Sequence, residues 1–251
     1  MDKAYWDGVA DRFDEEVMKI LDRVRSGVLA SAISVASSPR KTVADFGCGN
    51  GSLLGLLAER FHAVDAIDHS DKLLDQAKRQ NADHKNIQYI QADLADNYVS
   101  KPKVDVLVCI NVLIQPDIKV RDRILESAAA AVKARGTLIC VVPAYESLIH
   151  TYQTIVETNV ALGIPRPQAI VEVEEVYKAE IVSPIDGIAS LGGESTKLHT
   201  LTEISTSLAD VGLERIVSHR VEYDWDEMID DAPEGVGAPY PWDWLLVARK
   251  L

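Results

Sequence analysis

Apolar positions along this chain fall into short continuous runs separated by amphipathic stretches. Residues 3 to 36 lack proline and place Val17, Ile20, Leu21, Val24 and Val28 at helical spacing, which predicts one or two amphipathic helices ended by Ser37-Ser38-Pro39. Apolar strands follow at TVADFG (42–47), AVDAI (63–67), IQYIQ (87–91), VDVLVCI (104–110) and TLICVVP (137–143). Between them, helical patterns run over 52–60, over 70–81 with the Ser70 hydroxyl as a cap, and over 118–134, where Gly136 breaks the last. Parallel strands need a crossover helix and are buried on both faces, so this alternation predicts a doubly wound α/β core over the first 143 residues.

The rhythm fails from Ala144 to Thr200. A helix-like stretch (146–162), then GIPRPQ, an alternating VEVEEVYKAEIV and a glycine-rich DGIASLGGES contain no strand-helix pair, so this segment reads as an insertion. A helix opening at Thr202 resumes the pattern, and LERIVSHRVEY (213–223) and WDWLLVARK (242–250) read as two final strands joined by a long acidic loop. The expected organisation is an N-terminal helical segment (1–40), a core (41–143), an insertion acting as a substrate lid or cap (144–200), and the C-terminal part of the core sheet (201–251).

Composition narrows the function classes. The chain has 251 residues, with 39 acids against 26 bases and a net charge of −13. That length suits one α/β domain with elaborations. The negative excess repels a phosphate backbone, so no nucleic acid partner is expected, although a local basic groove would be compatible with it. No run reaches the ~18 to 20 uncharged apolar residues that cross a bilayer. The N-terminus opens on acids rather than a basic region before an apolar one, so a cytoplasmic protein without membrane attachment is expected. Cys48, Cys109 and Cys140 are widely spaced and lack CxxC or Cys/His pairing, which excludes a disulfide framework and a cysteine zinc site; no metal is expected. Residues 222–241 hold seven acids and no lysine or arginine, a loop that can attract a cationic acceptor or form a solvated rim.

The segment VADFGCGNGSLL (43–54) reads strand, Gly-x-Gly-x-Gly, helix. Glycines here let a ligand sit against the main chain at the start of a helix. The dinucleotide fingerprint requires a third glycine at position 52, where this chain has Ser52, and Asp45 would repel a pyrophosphate. A nicotinamide oxidoreductase is therefore a distant reading. Asp45 can instead help hold a cation, Asp68 closes the second strand where a carboxylate accepts both ribose hydroxyls, and Asp93 follows the third strand. An ammonium, a ribose and an adenine together describe S-adenosylmethionine (SAM).

With VADFGCGNG (43–51), AIDHS (66–70), QADLAD (91–96), VDVLVCINVL (104–113) and RGTLICVVP (135–143) in this order, the chain resembles the class I, Rossmann-like SAM-dependent methyltransferases of the small-molecule type. The resemblance covers residues 40–143 closely and 198–251 more loosely. It implies a seven-stranded, mostly parallel sheet with an antiparallel last strand, N-terminal helices and a lid insertion after strand 5. It also implies S-adenosyl-L-homocysteine (SAH) as product. Gly47 and Gly49 would contact the methionine moiety, with Asp45 near its ammonium. Asp68 would bind the ribose, with His69 flanking it or the adenine. Asp93 would accept from the adenine amino group while the Leu94 amide donates to the ring, and Asn111 would lie beside the methionine chain and sulfonium. Asp68 and Asp93 also suit a helix cap or a turn. The segment AYWDGVADRFDEEV resembles a helix folded over the cofactor, with Phe13 where relatives often place a tyrosine, so that a hydroxyl contact is lost there and Tyr5 or Trp6 is left to supply a polar contact.

Methyl transfer is an in-line displacement, and the protein's main work is to align a nucleophile at ~3 to 3.5 Å and exclude water. A base is needed only for acceptors protonated at neutral pH. His150 and His199 bound the insertion and are the candidate bases, with Tyr145 and Tyr152 weaker; Glu146 equally suits a solvated helix face. The segment INVLIQPD lacks the Asn/Asp-Pro-Pro-aromatic motif of DNA N-methyltransferases, and no cysteine follows a proline. A small organic acceptor methylated on O or N is the reading reached, with a non-methylating SAM-binding protein as the alternative. The insertion is as suited to a homodimer contact as to a lid.

Overall fold

The computed structural model describes residues 3–13, 25–96, 98, 102–177, 181–191, 193–228 and 236–251. Of the expected N-terminal helices, Val17, Ile20, Leu21 and Val24 lie outside these residues, as do Asp230, Asp231 and Glu234 of the acidic loop. Helix α1 (Lys3–Val9) continues into a 3-10 turn, and α2 (Val28–Ala36) buries Leu29 and Ile33. Strand β1 (Ser38–Phe46) begins earlier than its apolar run, because Ser38 already pairs with Phe61 across an irregularity. Helix α3 (Leu54–Arg60) and β2 (Phe61–Asp68) follow. Next comes α4 (Asp71–Gln80), capped as expected by the Ser70 hydroxyl accepting from the Leu73 amide. Strands β3 (Ile87–Gln91) and β4 (Val104–Ile110) coincide with their apolar runs.

Helix α5 (Ile118–Ala131), capped by Asp117, stops short of the expected Ala134. Val132 instead opens β5 (Val132–Pro143) by pairing with Val104, and Lys133 reaches the Asp105 carboxylate at 2.9 Å. The β-branched, buried Val132 is better used in the sheet than in another helical turn. After the insertion come α8 (Leu201–Asp210), β9 (Leu213–Glu222), a short α9 (Trp225–Met228) and β10 (Trp242–Lys250).

These strands form one seven-stranded sheet in the order β3-β2-β1-β4-β5-β10-β9, in which only β10 runs antiparallel to its neighbours. Strand β4 shows why the apolar runs are continuous. Its Leu107 and Cys109 belong to one apolar layer and its Val106 and Val108 to the other, so both faces are covered. The chain order reverses between β1 and β4, and open α/β sheets bind ligands at such a switch point, outside the carboxyl ends of the strands.

Within the insertion, α6 (Tyr145–Ala161) packs on α7 (Arg166–Tyr177) through Ile155, Val156, Ala169 and Val173. The valine-glutamate alternation suggested no helix here. The four-residue spacing of Ala169 and Val173 places both on the face that meets α6, and that packing decides the conformation. A three-stranded antiparallel sheet follows, β6 (Ile181–Ser183), β7 (Ile188–Leu191) and β8 (Glu194–Lys197). Among the described residues, no helix is long and apolar enough to cross a membrane.

Candidate functional site

The turn after β1 is held under the end of β2, where the Gly47 and Cys48 amides both donate to the Ile67 carbonyl at 2.8 and 3.0 Å. Gly47 and Gly49 adopt φ of +69° and +54°, the left-handed region that penalises a Cβ. Space forbids one as well. A Cβ on Gly47 would lie 2.5 Å from a Val112 methyl carbon, and one on Gly49 would lie 2.6 Å from the Phe13 ring. The turn is therefore a bare main-chain surface walled by β4 on one side and the N-terminal segment on the other.

Acidic groups stand around this turn. Asp68, at the end of β2, accepts the Gly49 amide at 3.0 Å and the Ser70 amide at 2.9 Å on its two oxygens. Burial pushes its carboxyl above the ordinary value, against the pull of the Ser70 and Gly49 amides and of His69. Asp45 is buried beneath the turn; desolvation, and after it the Asp68 charge, push its carboxyl up to about 8. On the far side, Asp93 accepts the Ala95 amide at 2.8 Å, folding the chain after β3 into a tight turn. Asn111 closes β4 with φ +53°, and its side-chain oxygen is buried without a hydrogen-bond partner among the described residues. An orphaned acceptor beside a bare glycine turn is suited to a donor supplied by a ligand.

A cavity of about 950 Å³ joins these groups. Of the residues expected to hold a cofactor, Gly47, Gly49, Asp68, His69, Asp93, Leu94 and Asn111 line it. Asp45 does not; it lies buried beneath the turn, its carboxyl held largely protonated near neutral pH. The volume lies near the upper end of small-molecule sites, which leaves room for two ligands of moderate size.

The N-terminal segment forms a wall of the same cavity through Tyr5, Trp6 and Phe13, with the Tyr5 and Trp6 rings edge to face at 5.1 Å. It is moored to α4. The Ser70 hydroxyl donates to Asp7 at 2.6 Å, Lys72 reaches the Asp7 carbonyl at 3.0 Å, and Gln76 donates to the Ala10 carbonyl at 2.9 Å. Ser70 thus caps α4, places its amide on Asp68 and anchors α1 at once.

The two candidate histidines stand elsewhere. His150 donates to the Pro239 carbonyl at 2.7 Å and borders a separate groove between α6 and residues 236–239. His199 is buried, donating from Nε2 to the Leu113 carbonyl at 2.8 Å while its Nδ1 has no partner among the described residues. Burial pushes its imidazole down to about 4, so it is neutral at physiological pH. Neither lines the large cavity, and neither do Tyr145 or Tyr152. Glu146 is not a solvated residue: its carboxylate accepts the Leu201 amide at 2.8 Å and the Trp244 indole at 3.0 Å, tying α6 to α8 and β10.

Sequence reasoning missed Val112, Ile114, Gln115 and Glu194 on the cavity wall. The first three follow the strand-4 run directly, which was a usable signal. Glu194 sits on a strand of the insertion that no periodicity announced.

Residues 43–136 match the family described as a methyltransferase domain. Solved structures share the fold over most of the chain. One is a SAM-dependent methyltransferase from Methanosarcina mazei, 16% identical, covering 88% of this chain and 97% of its own, with a TM-score of 0.63. Another is the N-methyltransferase NodS from Bradyrhizobium japonicum WM9 in complex with SAH, 12% identical, covering 99% of each chain, TM-score 0.62. A third is magnesium protoporphyrin IX methyltransferase from Synechocystis PCC 6803 with bound SAH, 17% identical, covering 99% of this chain and 97% of its own, TM-score 0.60. No curated protein matches the sequence.

Proposed function

We propose that this protein is a SAM-dependent methyltransferase that transfers a methyl group to a small organic molecule by in-line displacement. The observation that carries the reading is the Asp68 carboxylate bonded to the Gly49 amide, which sets a ribose-binding acid beside a main-chain cradle in one cavity. The solved relatives crystallised with SAH share this fold, and that supports the choice of cofactor.

The residues present fit the group. Gly47 and Gly49 offer main chain where a Cβ would block approach, and the orphaned Asn111 oxygen can accept from the methionine ammonium. Asp45 sits beneath, near the methionine ammonium, whose positive charge would favour ionisation of that largely protonated carboxyl. Asp68 takes the ribose, with His69 beside it, while Asp93 accepts from the adenine amino group and the Leu94 amide donates to the ring. Bound SAM supplies an electrophilic methyl carried on a sulfonium.

The chain's own contribution is to align and to dry the site. Tyr5, Trp6 and Phe13 close one side, and exclusion of water there strengthens each electrostatic contact. We place residues 144–200 as the cap over the acceptor. His150 and His199 take no proton in this account, since neither reaches the cavity. The cavity's remaining volume and the net charge of −13 support a small acceptor. Incubation with SAM across a panel of small acceptors, read as SAH formation, tests the reading. Turnover of at least one acceptor is expected; SAH bound tightly with no acceptor consumed in a broad panel would favour a non-methylating protein.

A further inference from the structure

Within the large cavity, most charged groups gather at the cofactor end, Asp96 among them in the turn closed by its amide on the Asp93 carbonyl, while Glu194 approaches from the insertion. Asp68 and Asp93 are bonded to main-chain amides at the cofactor end. Lys3 is held by Asp71 at 2.6 Å and by Asp7. Arg123 shares a face of α5 with Val120 and Ile124, and one turn further on the Ser127 hydroxyl donates to the Leu94 carbonyl at 2.8 Å, so Arg123 stands at the adenine end. Glu194 comes from the opposite direction, off the first residue of β8 in the insertion.

The placement of Glu194 is fixed by its strand. Its pairing with Leu191 sets the register of β8, and three residues on the Lys197 amide donates to the Ile114 carbonyl at 2.8 Å, pinning β8 beside the wall that follows β4. The nearest cation of that strand is already neutralised, because the Lys197 ammonium is bonded to Glu203 at 2.7 Å and to the Asp186 carbonyl at 2.6 Å. Among the described residues, the half-buried Glu194 carboxylate has no hydrogen bond or ion pair. A carboxylate on a cavity wall without a protein partner is available to a charge-assisted hydrogen bond from a cationic ligand group.

We propose that the acceptor is an amine and that Glu194 is the carboxylate facing its nitrogen. The inference rests on the methyltransferase reading above. In such a transfer the neutral amine lone pair forms the new N–C bond as the S–C bond breaks. The sulfonium charge disappears, the nitrogen becomes an ammonium, and its proton leaves to water after transfer. A fixed carboxylate beside that nitrogen is worth more in the transition state than in the neutral ground state, because positive charge develops there. The same carboxylate would repel a phenolate or a carboxylate acceptor. His150 and His199 lie outside the cavity, and His69, the imidazole that lines it, stands beside Asp68 at the cofactor end, so no histidine approaches from the side of Glu194.

The test uses the full-length protein with SAM and a panel of primary and secondary amines, phenols and carboxylic acids, read as SAH formation, beside the near-isosteric Glu194→Gln. Amines should be consumed with kcat/KM rising as the ammonium deprotonates, and Glu194→Gln should lower amine kcat/KM by about 10- to 1000-fold, with SAH affinity unchanged within about twofold. Methylation of phenols or carboxylic acids alone, no consumption of any amine by protein that binds SAH, or a Glu194→Gln enzyme as active on amines as the parent would each overturn it. Failure to bind SAH is a separate result, and it would remove the methyltransferase reading itself.

Discussion

The Asp68 carboxylate bonds the Gly49 amide at 3.0 Å while its charge adds to the desolvation that pushes the buried Asp45 carboxyl up to about 8. One residue therefore organises the glycine turn and strains the acid beneath it. In Asp68→Ala the loss of two charge-assisted bonds, each ~1.5 to 3 kcal/mol, is offset in part by relief of Asp45. The melting temperature should change by only a few degrees. The rise in melting temperature on adding SAH should disappear, and thermal scans with and without SAH check both halves.

Asp45 and His199 give the stability a defined pH dependence. The Asp45 carboxyl is raised in the fold from its ordinary 3.8 to about 8, so its stability contribution is complete below about 3.8 and is lost as pH rises to about 8. His199 is lowered from 6.5 to about 4, so its contribution is present above 6.5 and is lost as pH falls toward 4. Each slope is ~1.4 kcal/mol per pH unit, with opposite signs where they overlap. Burial also raises Asp243 from 3.8 to about 6, which adds a loss of stability between those values. The three groups together predict a decline from pH 4 to 6, a short flat stretch to 6.5 and a further decline from 6.5 to 8. Asp45→Asn should flatten the decline between pH 4 and 6 and abolish the one above 6.5, read from urea unfolding at each pH.

Gly49→Ala places a methyl 2.6 Å from the Phe13 ring at a φ of +54°. The backbone conformation alone costs about 1 to 2 kcal/mol, and Phe13 must also move. Loss of stability with weakened SAH binding is expected. Truncating the ring in Gly49→Ala/Phe13→Ala should recover part of the loss, a non-additivity that a double-mutant cycle measures.

His150 serves as a control for the account. Its imidazole borders the groove against Pro239, away from the cavity. His150→Ala should leave SAH affinity within about twofold of the parent in a direct titration. A loss of tenfold would mean that the groove and the cavity communicate.

What the sequence made legible follows from the range of the interactions involved. The glycine turn, Asp68, Asp93 and Asn111 are fixed by local geometry at strand ends, so spacing along the chain suffices to place them. Strand β4 was readable because burial on both faces writes a continuous apolar run. Phe13 against Gly49 and Glu194 in the cavity are contacts between residues far apart in sequence, and no local pattern encodes them. Helix α7 was hidden because its valine-glutamate alternation points to a strand, and only its packing on Ile155 and Val156 overrides that. His150 and His199 were expected at the site because they bound the insertion, yet both histidines use a ring nitrogen on a backbone carbonyl instead.

Isothermal titration of the purified protein with SAH tests the central claim most directly. The account predicts one SAH per chain, with affinity reduced about 10-fold or more in Asp68→Ala, since a buried ligand hydrogen bond to a charged group is worth ~1.5 to 3 kcal/mol. Folded protein that shows no saturable SAH binding, or an Asp68→Ala variant that binds as tightly as the parent, would contradict it.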